Sequence, residues 1–171
     1  MVGGGNGLYT TLAPLLRGRV LLAGVGNPLR GDDGAGPEVV RRVGRAFPEC
    51  CLDCGEVPEN YLGLIKERSP DLLLFVDAVD FGGQPGETRI CDWSSLRAYG
   101  WDTHRFPLRA LADYLEQDAG IQVKLLGIQP GNTLFGSRMT EGVEAAVGET
   151  SQAITSALRE QHASCTEGKP V

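Results

Sequence analysis

Three stretches of the chain are nearly continuous apolar runs: Arg19–Val25 (RVLLAGV), Asp71–Val79 (DLLLFVDAV) and Gln122–Ile128 (QVKLLGI). Strands covered by helices on both faces have this pattern, because neither face meets water. Two shorter stretches, Cys50–Gly55 (CCLDCG) and Glu87–Asp92 (ETRICD), read as further strands. Between them the apolar period lengthens to that of helices. In GPEVVRRVGRAF, Pro37 suits a first turn, and Val39, Val40 and Val43 make one apolar face. NYLGLIKERSP starts at a candidate cap, Asn60, and Pro70 stops it. PLRALADYLEQDAG aligns Leu108, Leu111 and Leu115 and ends at Gly120. A long last helix opens at Thr140 and carries Val143, Ala146, Val147, Ile154 and Leu158 inward.

Alternating strands and helices imply right-handed crossovers and a mostly parallel sheet with helices on both faces. Only the third and fourth strands are joined by a short Gly- and Pro-rich turn, which predicts a hairpin and an antiparallel edge strand. The expected architecture is a three-layer α/β/α domain with a mostly parallel five-stranded sheet and one antiparallel edge strand. It spans residues 19–162 as one domain, between an N-terminal extension (1–18) and a polar tail (163–171). The extension either packs on the domain or stays mobile.

Composition narrows the function. A chain of 171 residues with 42% hydrophobic content can bury a core without staples. Its net charge of −6, with basic residues scattered, argues against a nucleic-acid or anionic-membrane partner. Nothing approaches a membrane-spanning run or a signal peptide, so a cytoplasmic protein is expected; it is further expected to be a monomer. Cys50, Cys51, Cys54, Cys91 and Cys165 are an odd set, which disfavours a disulfide framework. Cys51 and Cys54 form a C-x-x-C pair, but three residues apart on a strand they face opposite ways.

The chemistry concentrates in GVGNPLRGDDGAG, Gly24–Gly36. No Gly-Lys-Ser/Thr follows, as a phosphate loop requires, and Leu29 stands where a dinucleotide fingerprint needs its third glycine. Carboxylates suit cations and polarised water instead. Asp32 and Asp33 are candidates both for that work and for capping the next helix. A second acid, Asp77 or Asp80 in FVDAVD, ends the third strand. Carboxyl ends of neighbouring parallel strands face one crevice, so Asp33 and this acid would converge. His162 lies in the polar tail; His104, in the loop GWDTHRFPL, is the histidine available to a site. Two Asp and one His form an incomplete donor set for a borderline ion such as nickel or zinc. Neither a G-x-S-x-G elbow nor H-E-x-x-H is present.

With these residues in register, the chain resembles the hydrogenase maturation endopeptidases. The resemblance runs from about Val20 to Leu158, through GVGNPLRGDDGAGP, DCGEVPEN, LLLFVDAVDFGGQPGETRI, THRFPL and LLGIQP. GDDGAGP, VPEN and GIQP place it nearest the hydrogenase-3-type branch. The resemblance implies that Asp33, Asp77 rather than Asp80, and His104 are the metal-contacting and catalytic residues. It further implies an aspartic-type endopeptidase that trims the C-terminal tail of a nickel-iron hydrogenase large-subunit precursor. The nickel would be carried by that precursor as the recognition mark, and no tightly bound organic cofactor is expected. Two rival readings are a non-catalytic module that shields the immature large subunit, and a magnesium-dependent phosphohydrolase, which would leave His104 without a role.

Overall fold

A computed structural model describes residues 4–91 and 106–167, with the side chains of 4–6, 106–107 and 165–167 left aside. The elements run α1 (Gly4–Leu12), β1 (Val20–Val25), α2 (Ala35–Val43), β2 (Cys51–Gly55) and α3 (Leu62–Arg68), then β3 (Leu72–Ala78), β4 (Thr88–Cys91), α4 (Phe106–Ala119), β5 (Gln122–Ile128) and α5 (Glu141–Glu167). The strands form one sheet in the order β2-β1-β3-β5-β4. The pairs β1/β2, β1/β3 and β3/β5 are parallel and β4/β5 is antiparallel.

Alternation along the buried strands divides the core. Leu72, Leu74 and Val76 of β3 join Val20 and Leu22 beneath α1, α2 and α5. Leu73 and Phe75 join Leu21, Ala23 and Leu125 beneath α3 and α4. Each central strand is therefore apolar on both faces, and its sequence shows no polar alternation. Cys51 packs against the first cluster while Cys54 is buried in the second, so the C-x-x-C pair is split across the sheet.

The antiparallel edge strand is present, but the predicted hairpin is not: β4 pairs with β5, and β5 lies between it and β3. The connecting segment crosses the end of β5. Val79 N–H donates to Ile128 O (2.9 Å), Gly86 N–H to Gln129 O (2.9 Å), and Gln129 N–H to Glu87 O (2.8 Å). The buried backbone of β5 needs hydrogen-bond partners along both edges, which β3 and β4 supply, and that requirement outweighs the local turn.

Two element ends also differ from expectation. Asn60 does not cap α3; a 3-10 turn, Pro58–Tyr61, precedes that helix, started by the preset φ of proline. Its other end stops ahead of Pro70 as expected, with Ser69 left-handed (φ 43°). The last helix continues to Glu167, into the stretch expected as tail.

The N-terminal extension packs on the domain. Leu8, Leu12 and Leu16 are buried in the cluster that includes Ile154 and Leu158 of α5, and Tyr9 Oη donates to Glu160. Truncation of Leu12, fully buried, removes methyl groups that no neighbour can replace. Leu12→Ala is expected to lower the unfolding free energy by about 2–4 kcal/mol in urea titration; an unchanged midpoint would show that the helix is dispensable.

Candidate active site

The glycine-rich loop leaves the carboxyl end of β1 and enters a 3-10 turn, Gly31–Gly34, that carries both aspartates and packs against β3. The space for it comes from absent side chains. A Cβ at Gly36 would lie 2.2 Å from Val76 O, and one at Gly24 would lie 2.6 Å from Gly36 O. The start of α2 thus rests directly on the backbones of β1 and β3. Gly26 is the turning point: at φ +132° its hydrogen faces Asp33 O, where a Cβ would come within 1.9 Å.

The two adjacent aspartates separate by environment. Asp33 is half-buried, and its Oδ2 accepts the Asn27 N–H at 2.8 Å. Asn27 is in turn fixed by Nδ2 donation to Glu56 Oε2 (3.0 Å), while its Oδ1 accepts the Leu29 N–H (2.9 Å). Asp32 is fully buried. Its Oδ2 accepts N–H groups from Gly131 (2.8 Å) and Asn132 (2.9 Å) and the Thr140 hydroxyl (3.0 Å), and its Oδ1 accepts the Thr140 N–H (2.6 Å). Neither aspartate caps a helix through its side chain. Asp32 instead ties the glycine loop to the segment before α5.

The two acids at the end of β3 also differ in environment. Asp77 is in β3, 3% exposed, on the face of Leu73 and Phe75, one strand from the β1 terminus. Asp80 closes the following turn: its Oδ1 accepts the Gly82 N–H (3.0 Å) and Gln129 Nε2–H (3.0 Å). Buried Gln129 completes the brace, with Oε1 accepting N–H groups from Phe81 (2.9 Å) and Gly83 (3.0 Å). Asp33, in the 3-10 turn whose backbone folds back on Gly26 just past β1, and Asp77, near the end of β3, thus lie by the carboxyl ends of adjacent parallel strands. His104 lies outside the described residues.

A family model described as "HycI: Hydrogenase maturation protease" matches residues 37–157. The chain belongs to the hydrogenase maturation protease family. It is 42% identical over 127 residues to the hydrogenase 3 maturation protease of Escherichia coli K12, covering 72% of this chain and 80% of that one. The crystal structure of the maturation protease HycI from Thermococcus kodakarensis superimposes with a TM-score of 0.78 at 34% identity, over 89% of this chain and 98% of the other. The E. coli maturating endopeptidase HybD aligns at 0.70 with 26% identity, over 83% and 93% of the two chains. As a member of this family the chain is a peptidase, which leaves no place for the phosphohydrolase reading.

Among the described residues of this maturation protease, no three His, Cys, Asp or Glu side chains gather as a metal cluster, and no helix is long and apolar enough to cross a membrane. Burial pushes the Cys54 thiol up to about 12, and the nearby Asp53 charge adds to the shift, so the thiol stays protonated at neutral pH. Beside the aspartate turn lies a cavity of about 710 Å³, lined in part by Gly31, Gly34, Glu38, Arg41, Asp53 and Arg138. Glu38 bonds Arg41 (2.6 Å) and Arg42 (2.7 Å), and these cations, Arg41 foremost, hold its carboxyl down to about 2 despite partial burial.

The role of Asp32 and the Gln129 brace were not foreseen. The sequence offers only the adjacency of two acids and a glutamine directly after β5.

Two measurements follow. Asp32→Ala leaves the amides of Gly131, Asn132 and Thr140 without their carboxylate acceptor, with an expected loss of about 1–3 kcal/mol in unfolding free energy; hydrogen exchange should accelerate at those amides first, and unchanged exchange would refute the tie. Glu38 has a folded pKa below its ordinary 4.5, so its stabilisation is full above 4.5 and fades as pH falls through about 2. The stability gap between wild type and Glu38→Gln should therefore shrink across that window in acid titration of the unfolding midpoint.

Proposed function

We propose that this protease hydrolyses one peptide bond near the C-terminus of a nickel-iron hydrogenase large-subunit precursor, after nickel has been inserted. The observation that carries the reading is the pair of acids, Asp33 and Asp77, by the carboxyl ends of neighbouring parallel strands, in a member of the maturation protease family. The precursor brings the nickel on its own cysteines. Asp33, Asp77 and His104 complete the ion's coordination transiently, so a bound ion marks a finished precursor and places the scissile bond against the enzyme. Oxygen and imidazole donors suit a borderline divalent ion of this kind. Water then adds to the carbonyl carbon with a carboxylate receiving its proton, the C–N bond breaks, and the proton is delivered to the leaving amine. The enzyme acts as a cytoplasmic monomer and carries no organic cofactor of its own.

A non-catalytic shielding module would need the same surface but no cleavage, and membership in a peptidase family favours the enzyme.

Incubating the precursor with and without nickel, then weighing the products by mass spectrometry, tests the reading. Loss of a short C-terminal peptide is expected only from the nickel-loaded precursor, and cleavage indifferent to nickel would overturn the recognition role. Asp33→Asn and His104→Ala should each slow processing by about 100-fold or more while melting as cooperatively as wild type.

A further inference from the structure

Among the described residues, five large hydrophobic side chains are exposed, and three of them stand on the two loops that Asp32 joins. Leu29, on the glycine loop, is 62% exposed; Leu134 and Phe135, on the loop between β5 and α5, are 71% and 72% exposed. The Gly136 N–H donates to Leu29 O at 2.8 Å, so the loop tips are bonded to each other as well as to Asp32. Asn132 Oδ1 accepts the Leu134 N–H (3.0 Å), and Ser137 Oγ donates to Leu134 O (2.6 Å). The result is an apolar ridge held on a fixed backbone, four residues in sequence from Asp33 at Leu29.

Exposed leucine and phenylalanine on a bonded backbone cost solubility and contribute nothing to the core, whereas a contiguous apolar patch marks an interaction site. A pre-ordered patch also loses little conformational entropy when it is covered. We propose that Leu29, Leu134 and Phe135 form the docking ridge for the protein substrate, receiving an apolar surface of the precursor beside its scissile tail; this rests on the proposed function above.

Two features favour the substrate over a second copy of this chain. The ridge is built on the loop that also carries Asp33, so self-association through it would cover the carboxyl edge where the bond must enter. A single cut near a chain end also needs recognition remote from the reacting atoms, and such a surface supplies binding that is the same before and during bond breaking.

The test is steady-state processing of the purified nickel-loaded large-subunit precursor by the full-length chain, comparing wild type with the triple variant Leu29→Ser, Leu134→Ser and Phe135→Ser. Because all three side chains are exposed, the variant should melt with the wild type. Its KM should rise by about tenfold or more, as removal of an apolar anchor does, with kcat within about twofold, since the ridge acts on encounter rather than on bond breaking. Cleavage by wild type together with an unchanged KM in the variant overturns the ridge and leaves the proposed function standing. A precursor left intact by wild type overturns both. Sedimentation adds a further arm: a concentration-dependent wild-type dimer that the variant abolishes would assign the ridge to self-association and overturn the proposal.

Discussion

A single buried carboxylate organises the working edge of this molecule. Asp32 is fully enclosed and accepts four hydrogen bonds, all from residues 131, 132 and 140. A carboxylate without such donors would be expensive to bury, and the backbone amides would be expensive to leave bare. Together they lock two loops that have no regular secondary structure in common. The direction of Asp33, the start of α5 and the exposed tips at Leu29 and Leu134 all inherit their positions from that junction. Even Thr140 is drawn in: its carbonyl accepts the Glu144 N–H of α5 while its hydroxyl is turned to Asp32.

The division of labour between adjacent residues follows from depth. Asp32 saturates its oxygens inside the protein, whereas Asp33, one residue on, is half-buried with one backbone donor to Oδ2. The same contrast recurs at the end of β3, where Asp80 closes a turn with Gln129 and Asp77 is held within the strand. In each pair one acid builds the loop, and building it fixes the surroundings of the other. Removal of side chains matters as much as their presence: α2 reaches β1 and β3 only because positions 24 and 36 are glycine.

Much of this architecture was legible in the chain, because buried parallel strands write themselves as apolar runs and Gly-rich turns mark their exits. Gln122–Ile128 was readable to the residue, and the two faces of β2 followed from period two alone. Local signals failed where long-range demands prevailed. The turn before β4 looked like a hairpin, but β5 needed a second neighbour and took β4 from β3. Asp32 looked like a helix cap because its real partners lie 99 to 108 residues further on, beyond any motif. The exposed Leu134 and Phe135 carried no signal either, since a periodic pattern distinguishes buried positions but says nothing of which apolar residues a loop displays.

The separation between Asp32 and its donors bears on how the protein comes into being. A chain leaving the ribosome presents the aspartate turn 99 to 108 residues before the donors that satisfy it, and Gln129 arrives only just before them. Until then Asp32 has no amides to satisfy it, β4 has no strand to join, and the loops at the carboxyl edge lack their bracing. Chains cut short of residue 140 thus remain without an assembled edge.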